Sequence, residues 1–190
     1  MNNVEAVKTS QEVDFVSRKL RLNAKGPHGK ENTLYSDIWI FGLNVALRIT
    51  DLLSIKMADA AKGRIVINEG KTGKLRNIEL NTRAMEIAKA RQVAHPHHTY
   101  LFEVDSNRAK GKPVSRVAVA KAFKAVGEEL GILLGTHSMR KTRGWVMYSA
   151  GKSIEEICRV LNHSSPAVTM LYLGITQKDI DATYHEFVIG

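Results

Sequence analysis

The chain has 190 residues, 44% of them hydrophobic, and a net charge of +9. The length suggests a single domain with a core of its own, and no apolar run is long enough to predict a membrane-spanning helix. A single cysteine excludes an intramolecular disulfide framework, and the start lacks a signal-peptide layout, so we expect a cytoplasmic protein that makes no membrane contact.

The first fifty residues predict helices. A capping-box pattern that begins at Thr9 opens a helix over about residues 10–22. A loop that contains glycine and proline follows over residues 23–32. Apolar side chains dominate residues 34–47 and predict a buried helix, after which Thr50 is expected to cap a short third helix.

Two short β-rich segments come next. Residues 64–68 and 75–80 partly alternate apolar and polar side chains, which is the pattern of a half-exposed strand. Residues 70–74 join them and contain two glycines and two lysines. We therefore predict an antiparallel hairpin with a basic tip.

The rest of the chain is predicted to be helical apart from one loop over residues 95–112. Pro166 suits the first turn of a short helix that holds Tyr172. The predicted fold is mainly α with a small antiparallel β-sheet (α+β), in one domain over residues 1–190 with a flexible arm at 1–9. The other helices are expected over about residues 82–93, 115–130, 137–150, 154–161 and 176–187.

The positive charge is unevenly placed along the chain. Residues 61–150 hold 17 Lys and Arg against 7 Asp and Glu, whereas the other residues hold 11 against 12. A basic surface is typical of a protein that binds a polyanion, although a plain solubility surface fits the charge equally well. Aromatic residues make up only 6% of the chain, which favours contact with a duplex backbone over base stacking.

Six residues supply, as a set, the groups that a metal-free attack on a phosphodiester requires. Two guanidiniums can hold phosphate oxygens, an ammonium and two imidazoles can move protons or donate hydrogen bonds, and a phenol can be the nucleophile. His137 and Arg140 lie one turn apart near a predicted helix start, where free amides also favour an anion. The candidates are, in chain order, Arg48, Lys71, His137, Arg140, His163 and Tyr172.

Each of the six also has an ordinary structural interpretation. Arg48 adjoins an apolar helix and needs an anionic partner, which is either a phosphate or a structural ion pair with Asp51 or Asp59. Of the other five, Lys71 fits a solvated turn, and His137 and Arg140 fit a basic helix face. His163 fits a turn after a core helix, and Tyr172 fits a half-buried core aromatic. Only their combination favours the catalytic interpretation.

Other motifs are weaker. The run His95-Pro96-His97-His98 is dense in imidazole, but no Asp, Glu or Cys stands nearby at ligand spacing, so we predict no metal site. Cys158 fits the apolar face of its helix and is expected in the core. The sequence contains no phosphate-binding glycine loop and no G-x-S-x-G elbow, and we predict no cofactor.

The ordered motifs together resemble those of the phage integrase family, also called the tyrosine recombinases, from about residue 10 to the end. Tyr172 stands where the nucleophile of that family stands, nine residues after His163. One position departs from the family pattern, because Asn162 replaces the glycine of the Leu-Gly-His-Ser box. The segments that carry the resemblance are 46–52 (ALRITDL), 70–74 (GKTGK, with Lys71 at the matching position), 137–142 (HSMRKT) and 161–165 (LNHSS).

The resemblance implies a mechanism in which Tyr172 attacks a scissile phosphate and leaves a 3′-phosphotyrosine and a free 5′ hydroxyl. The two arginines would hold the non-bridging oxygens and offset the charge of the transition state. Lys71 would be the general acid, His137 would assist proton transfer, and His163 would hydrogen-bond the phosphate. A 5′ hydroxyl of the partner strand would then reseal the DNA without ATP or metal.

The resemblance also implies partners. Double-stranded DNA is the expected substrate, bound by a tetramer in a bacterial or phage setting, with an accessory DNA-bending protein as a further candidate. The segment 176–190 is expected to dock on a neighbouring protomer, and no N-terminal DNA-binding domain is expected within this chain, which is then either a fragment or a short recombinase. The residues assigned to DNA contact are Lys74, Arg76, Lys121, Lys124, Lys141 and Arg143.

Two other functions remain open at this point. A catalytically silent DNA-binding regulator would keep the fold without cutting, but it would have no need of Tyr172 or Lys71. A type IB topoisomerase would share the cleavage chemistry and act as a monomer without strand exchange. The sequence favours a site-specific recombinase over both.

Overall fold

The computed structural model describes residues 4–24, 32–104 and 110–190. Within these ranges ten helices accompany one two-stranded sheet, which confirms the expected mainly helical fold. The elements are α1 (Ser10–Asn23), α2 (Leu34–Val45), α3 (Ile49–Leu53), α4 (Met57–Ala61), β1 (Arg64–Asn68), β2 (Leu75–Glu79), α5 (Thr82–Ala94), α6 (Arg116–Leu130), α7 (Ser138–Ser149), α8 (Ile154–Leu161), α9 (Pro166–Leu173) and α10 (Gln177–Glu186).

The hairpin forms as predicted. β1 and β2 pair antiparallel, with Arg64 opposite Glu79 at one end and Asn68 opposite Leu75 at the other. The Glu69 amide donates to the carbonyl oxygen of Lys74 at 3.0 Å and closes the connecting turn. The basic turn 70–74 therefore projects from the closed end of the two strands.

Local signals explain where several helices begin. Capping boxes are present at Thr9 of α1, Ser153 of α8 and Thr176 of α10, and each satisfies amides of the first turn that have no partner within the helix. Pro166 occupies the first turn of α9, where its missing N–H costs nothing. These helix starts depend on residues three or four apart and are therefore predictable from sequence.

Three predictions about the first half are wrong in detail. The second helix ends at Val45 rather than residue 47, because Ala46 adopts a left-handed conformation with φ of 52°. Thr50 lies inside α3 rather than at its cap, which is Arg48, and the Arg48 side chain makes no capping hydrogen bond. The short helix α4 was not predicted, and parts of the two predicted loops, residues 25–31 and 105–109, lie outside the described residues.

The apolar side chains form two groups of unequal size. The main core joins α1 to α7 around fully buried Trp39, Phe41, Phe102 and Phe123, with two edge-to-face ring pairs between them. A second group, here called the small cluster, has only three buried members. These are Ala46, Ile157 and Leu161, and Met147, Val160, Tyr172 and Leu173 pack against them.

The residues before α1 are packed rather than loose. Val7 is only 3% exposed, and its amide donates to Thr142 Oγ1 of α7 at 2.8 Å. The Glu5 amide donates to the carbonyl oxygen of Leu133. The expectation of a flexible arm is therefore wrong for residues 4–8, because this segment shares the core and hydrogen bonds of the domain. Over the described ranges, no helix has the length and apolar character needed to cross a bilayer.

Candidate active site

Arg48 lies at the start of α3, directly after the left-handed turn at Ala46. Its side chain is 17% exposed, and Nη1 donates to Glu69 Oε2 at 2.5 Å. The anticipated pairing with Asp51 or Asp59 is wrong, because Asp51 instead accepts the Gly70 amide at 3.0 Å. Asp51 thus holds the hairpin turn, while Glu69 holds the guanidinium.

Arg140 is the most enclosed of the six candidates. It lies in the first turn of α7, is 2% exposed, and donates to the carbonyl oxygens of Ala46 and Leu161. Burial lowers the pKa of Arg140, but a guanidinium stays charged at neutral pH. One cation therefore binds the carbonyl oxygens of the left-handed turn at Ala46 and of the end of α8. Arg140 thereby joins the main core to the small cluster.

Tyr172 lies on α9, half-buried, with its ring edge-on to His163 at a centroid distance of 4.9 Å. Its hydroxyl donates to the His137 carbonyl oxygen at 3.4 Å, and Lys141 Nζ lies 5.4 Å from the ring centroid. Burial raises the pKa of Tyr172, although the charges of Arg140 and Arg48 oppose this rise. The phenol is therefore neutral at neutral pH before DNA binds.

Both imidazoles are neutral at pH 7. Burial, followed by the charges of Arg140 and Arg48, lowers the pKa of His163 to about 4. Its Nδ1 lies 3.0 Å from Thr169 Oγ1, a fully buried hydroxyl of α9. The pKa of His137 is lowered by burial and then by nearby cations, which include Lys71. Each ring therefore retains one nitrogen that can accept a proton.

The structure brings all six candidates into one electrostatic cluster. Lys71 is exposed on the hairpin turn, and its charge acts on His137 together with the charges of Arg48 and Arg140. The same two arginines act on His163 and Tyr172. The cluster combines charged donors, proton acceptors and a phenol, which is the inventory that phosphoryl transfer to a protein hydroxyl requires.

The residues assigned to DNA contact fall into three groups. Lys74, Lys121 and Lys124 are exposed on the hairpin turn and on α6. Lys141 and Arg143 are half-buried on α7, and Arg143 Nε has no hydrogen-bond partner among the residues that the structure describes. The assignment of Arg76 is corrected.

Arg76 is only 9% exposed and cannot form part of a DNA-contacting surface. Its guanidinium donates to the Val160 carbonyl oxygen at 2.9 Å and lies 3.5 Å from Glu69 Oε1. Arg76 therefore joins β2 to α8, and it acts as an internal counterion rather than as a contact for an external phosphate.

Glu69, the acidic centre of the site, was not predicted from the sequence. The Glu69 side chain is fully buried and accepts hydrogen bonds from Arg48, Arg76, Thr72 and Asn162. A signal was present, because alternation from Ile65 through Ile67 places residue 69 on the inner face of the hairpin. An acidic residue at an inward position, directly before a basic turn, predicts a buried ion pair.

Within residues 4–24, 32–104 and 110–190, no group of three or more His, Cys, Asp or Glu side chains is placed to hold a metal ion. His95 and His98 stack on each other with ring centroids 4.5 Å apart.

Comparison with known proteins identifies the family. Residues 10–178 match the model of the phage integrase family. The chain is 36% identical over 156 residues to a probable integrase/recombinase, YoeC, from Bacillus subtilis (strain 168), and this match covers 79% of the chain and 82% of YoeC. It is 29% identical over 137 residues to the tyrosine recombinase XerA of Pyrococcus furiosus, covering 70% of the chain but only 48% of XerA.

Solved structures show the same fold. A crystal structure of XerA recombinase superposes with a TM-score of 0.69 at 17% identity, over 97% of this chain and 64% of that one. XerH recombinase bound to its difH substrate superposes with a TM-score of 0.67 at 16% identity, over 95% and 53% of the two chains. The chain belongs to the phage integrase family, and its fold is that of a tyrosine recombinase catalytic domain.

Proposed function

We propose that this tyrosine recombinase cuts and rejoins duplex DNA at a specific site through a 3′-phosphotyrosine link. The observation that carries the proposal is the position of the Tyr172 phenol, which packs edge-on to His163, reaches the His137 backbone and lies in the field of Arg48 and Arg140. The charge of Lys71 acts on the neighbouring His137. Family membership and the recombinase relatives support the same reaction class.

In the first step Tyr172 Oη attacks the scissile phosphorus, and the bond from phosphorus to the 5′ oxygen breaks. Since the phenol is neutral, its proton must leave. We assign the neutral imidazole of His137 as the acceptor, because the backbone of that residue already contacts the phenol. The Lys71 ammonium gives a proton to the departing 5′ oxygen. Arg48 and Arg140 bind the non-bridging oxygens, where negative charge grows in the transition state.

In the second step a 5′ hydroxyl of the partner strand attacks the phosphotyrosine and releases Tyr172. One phosphodiester is exchanged for another through a covalent intermediate of similar energy, so the chemistry needs no ATP. A neutral His163 hydrogen-bonds the phosphate in both steps and does not add a third full charge beside the arginines. In this scheme the two arginines stabilise the negative charge of the transition state, and Lys71 and His137 move the protons.

DNA recognition is assigned to the exposed basic residues around this centre. Lys74 on the hairpin turn and Lys121 and Lys124 on α6 are solvent-exposed and are proposed to contact backbone phosphates. Lys141 and Arg143 extend the positive surface along α7 towards Tyr172. Phosphate contacts of this kind set affinity and register rather than sequence preference.

The assembly on DNA is proposed to be a homotetramer in which residues 176–190 of one protomer dock on its neighbour. α10 has no buried residue, and Phe187, Val188 and Ile189 are 68%, 81% and 96% exposed. A groove of about 950 Å³ beside Tyr172, lined partly by Phe15 and Trp145, offers apolar surface for such a tail. An accessory DNA-bending protein is proposed as a further partner that assists synapsis.

The decisive experiment traps the covalent intermediate. DNA crosslinked to the protein in its host is sequenced to find the site, and a nicked suicide duplex carrying that site is then incubated with the protein. We expect a covalent adduct with wild-type protein and none with Tyr172→Phe.

The outcome separates the three candidate functions. An adduct that proceeds to recombinant products supports the recombinase. No adduct on the bound site would identify a DNA-binding regulator instead. Plasmid relaxation without recombinants would indicate a type IB topoisomerase.

A further inference from the structure

The hairpin turn is built around one buried carboxylate that the proposed reaction does not use. Glu69 is 1% exposed, and its Oε2 accepts hydrogen bonds from Arg48 at 2.5 Å, Asn162 Nδ2 at 2.8 Å and Thr72 Oγ1 at 2.9 Å. Arg76 Nη1 lies 3.5 Å from Oε1. One carboxylate thus binds side chains from four separate places in the sequence.

Glu69 is ionised at neutral pH despite its burial. Burial alone would raise the pKa of Glu69, but the hydrogen bonds from Thr72, Arg48 and Asn162 and the charge of Arg48 outweigh it and lower that pKa. A buried anion that loses its cationic partners is strongly unfavourable, so the carboxylate holds Arg48 in one place. The bond uses Nη1 alone and leaves the other donors of a five-donor guanidinium for a phosphate.

Glu69 also contacts the turn that carries Lys71, through both its backbone and its side chain. The Glu69 carbonyl oxygen accepts the amides of Thr72 and Gly73, and its side chain accepts the Thr72 hydroxyl. Glu69 therefore contacts the two residues that follow Lys71, while Asp51 accepts the amide of Gly70 before it. A change in the position of the carboxylate moves Arg48 and the Lys71 turn together.

Asn162 extends this connection to His163. It ends α8 in a left-handed conformation with φ of 52°, which glycine and asparagine adopt at little cost. Glycine, the residue of the Leu-Gly-His-Ser box, would form the same turn without a side chain. Asparagine keeps the turn and adds an amide donor to Glu69, across 93 residues of sequence.

We propose that Glu69 and Asn162 act together as positioning residues for the strand-transfer site. Glu69 sets the guanidinium of Arg48 and the Lys71 turn, and Asn162 keeps the His163 turn in register with both before DNA arrives. Neither side chain touches the phosphate. The inference rests on the proposed reaction for its catalytic consequence, but the positioning itself is a property of the free protein.

Three substitutions separate the contributions. Glu69→Gln preserves shape and removes the charge, Asn162→Gly keeps the left-handed turn and removes only the amide, and Asn162→Asp opposes Glu69 with a second anion. Because small misplacements of reacting groups cost up to about a hundredfold in rate, we expect single-turnover adduct formation to slow about tenfold to a hundredfold in Glu69→Gln. Asn162→Gly should slow it less, and Asn162→Asp more than Asn162→Gly.

A merely structural role would not give the same pattern. DNA affinity, measured in the Tyr172→Phe background, should stay within about twofold for these variants, because phosphate contacts elsewhere carry binding. The double variant Glu69→Gln/Asn162→Gly should be slowed by less than the product of the two single effects, since both changes weaken the same bond. Glu79→Gln, which changes an exposed carboxylate on the same hairpin, is the matched control and should leave the rate unchanged.

A measurement without DNA distinguishes failure of this inference from failure of the proposed reaction. Side-chain NMR of Arg48 should show slow rotation of its guanidinium in the wild type and fast rotation in Glu69→Gln, with an intermediate change in Asn162→Gly. Fast rotation in the wild type would overturn the inference even if the protein cuts DNA. Full adduct rates in folded Glu69→Gln and Asn162→Gly would overturn it as well, whereas a wild type that forms no adduct but has a slow Arg48 guanidinium contradicts only the proposed reaction.

Discussion

The side of the site that holds Arg140 and Glu69 and the side that holds Tyr172 are packed very differently. Arg140 and Glu69 are 2% and 1% exposed, and they are held by residues of the hairpin, of α8 and of the turn at Ala46. On the other side, Thr169 is the one buried residue of α9, and α10 has none. Arg140 and Glu69 are enclosed and each takes part in several hydrogen bonds. Tyr172, in contrast, packs on the three buried residues of the small cluster.

The difference matches what the proposed reaction would require of each side. Charges that stabilise a transition state are most effective when they are already in place, because no reorganisation is then needed during the reaction. A nucleophile that leaves its hydrogen bond to His137, attacks and later departs needs a support that opens at lower free energy. We infer that α9 opens locally more often than the first turn of α7.

The largest expected effect follows from removing the most enclosed cation. Arg140→Ala should reduce the rate of adduct formation by about 10²- to 10³-fold, as loss of one preorganised donor does elsewhere. It also leaves the carbonyl oxygens of Ala46 and Leu161 without that partner, so thermal stability should fall. Arg83→Ala, an exposed arginine paired with Glu86, is the control and should change neither quantity. A normal cleavage rate in Arg140→Ala would remove Arg140 from the reaction.

The next effect tests the small cluster against the main core. Leu161→Ala and Leu47→Ala each delete a fully buried leucine, a change that costs about 2–5 kcal/mol in cores. We expect Leu47→Ala to lower the free energy of unfolding of the whole domain. Leu161→Ala should instead raise hydrogen exchange in α8 and α9 well above the change in α1 and α2, and it should slow adduct formation. Uniform exchange increases in both variants would show that the two groups unfold as one unit.

How far the sequence could predict this arrangement depends on the range of each contact. The helix starts at Thr9 and Ser153 rest on capping boxes that span four residues, five of the six candidates lie in a short local motif, and Tyr172 follows His163 by nine residues. The carbonyl oxygen of Ala46, in its left-handed turn, accepts a hydrogen bond from Arg140, 94 residues away, and no local pattern indicates this contact. Contacts over such separations appear only once the chain is folded.

Arg76 and Glu69 show where a local signal was overlooked. Both occupy inward positions of the hairpin, where alternation with exposed neighbours predicts burial. Counting charge without that alternation placed Arg76 on the DNA surface and left Glu69 out. A pair of opposite charges on the inner face of a hairpin is better predicted as an internal ion pair.

A smaller effect concerns pH. The folded protein keeps His163 neutral down to about pH 4, whereas the unfolded chain takes up a proton near the ordinary pKa of 6.5. The unfolded state therefore binds more protons in this window, and the free energy of unfolding should fall as the pH drops from 6.5 to 4. Urea unfolding at several pH values should show a shallower dependence in His163→Asn than in the wild type. His185→Asn, an exposed change on α10, should leave the dependence as it is.

The smallest effect separates surface charge from internal charge. Lys124 is 76% exposed and paired only with exposed Glu128 at 3.6 Å, so Lys124→Ala should weaken DNA binding modestly and leave folding intact. If it contacts a phosphate, the slope of log affinity against log salt should fall by about one. Arg76→Lys should leave that slope unchanged and lower thermal stability, because its fork joins Glu69 and the Val160 carbonyl oxygen inside the protein. A reduced salt slope with normal thermal stability in Arg76→Lys would place Arg76 on the DNA surface. A salt slope in Lys124→Ala equal to that of the wild type would move the binding face away from α6.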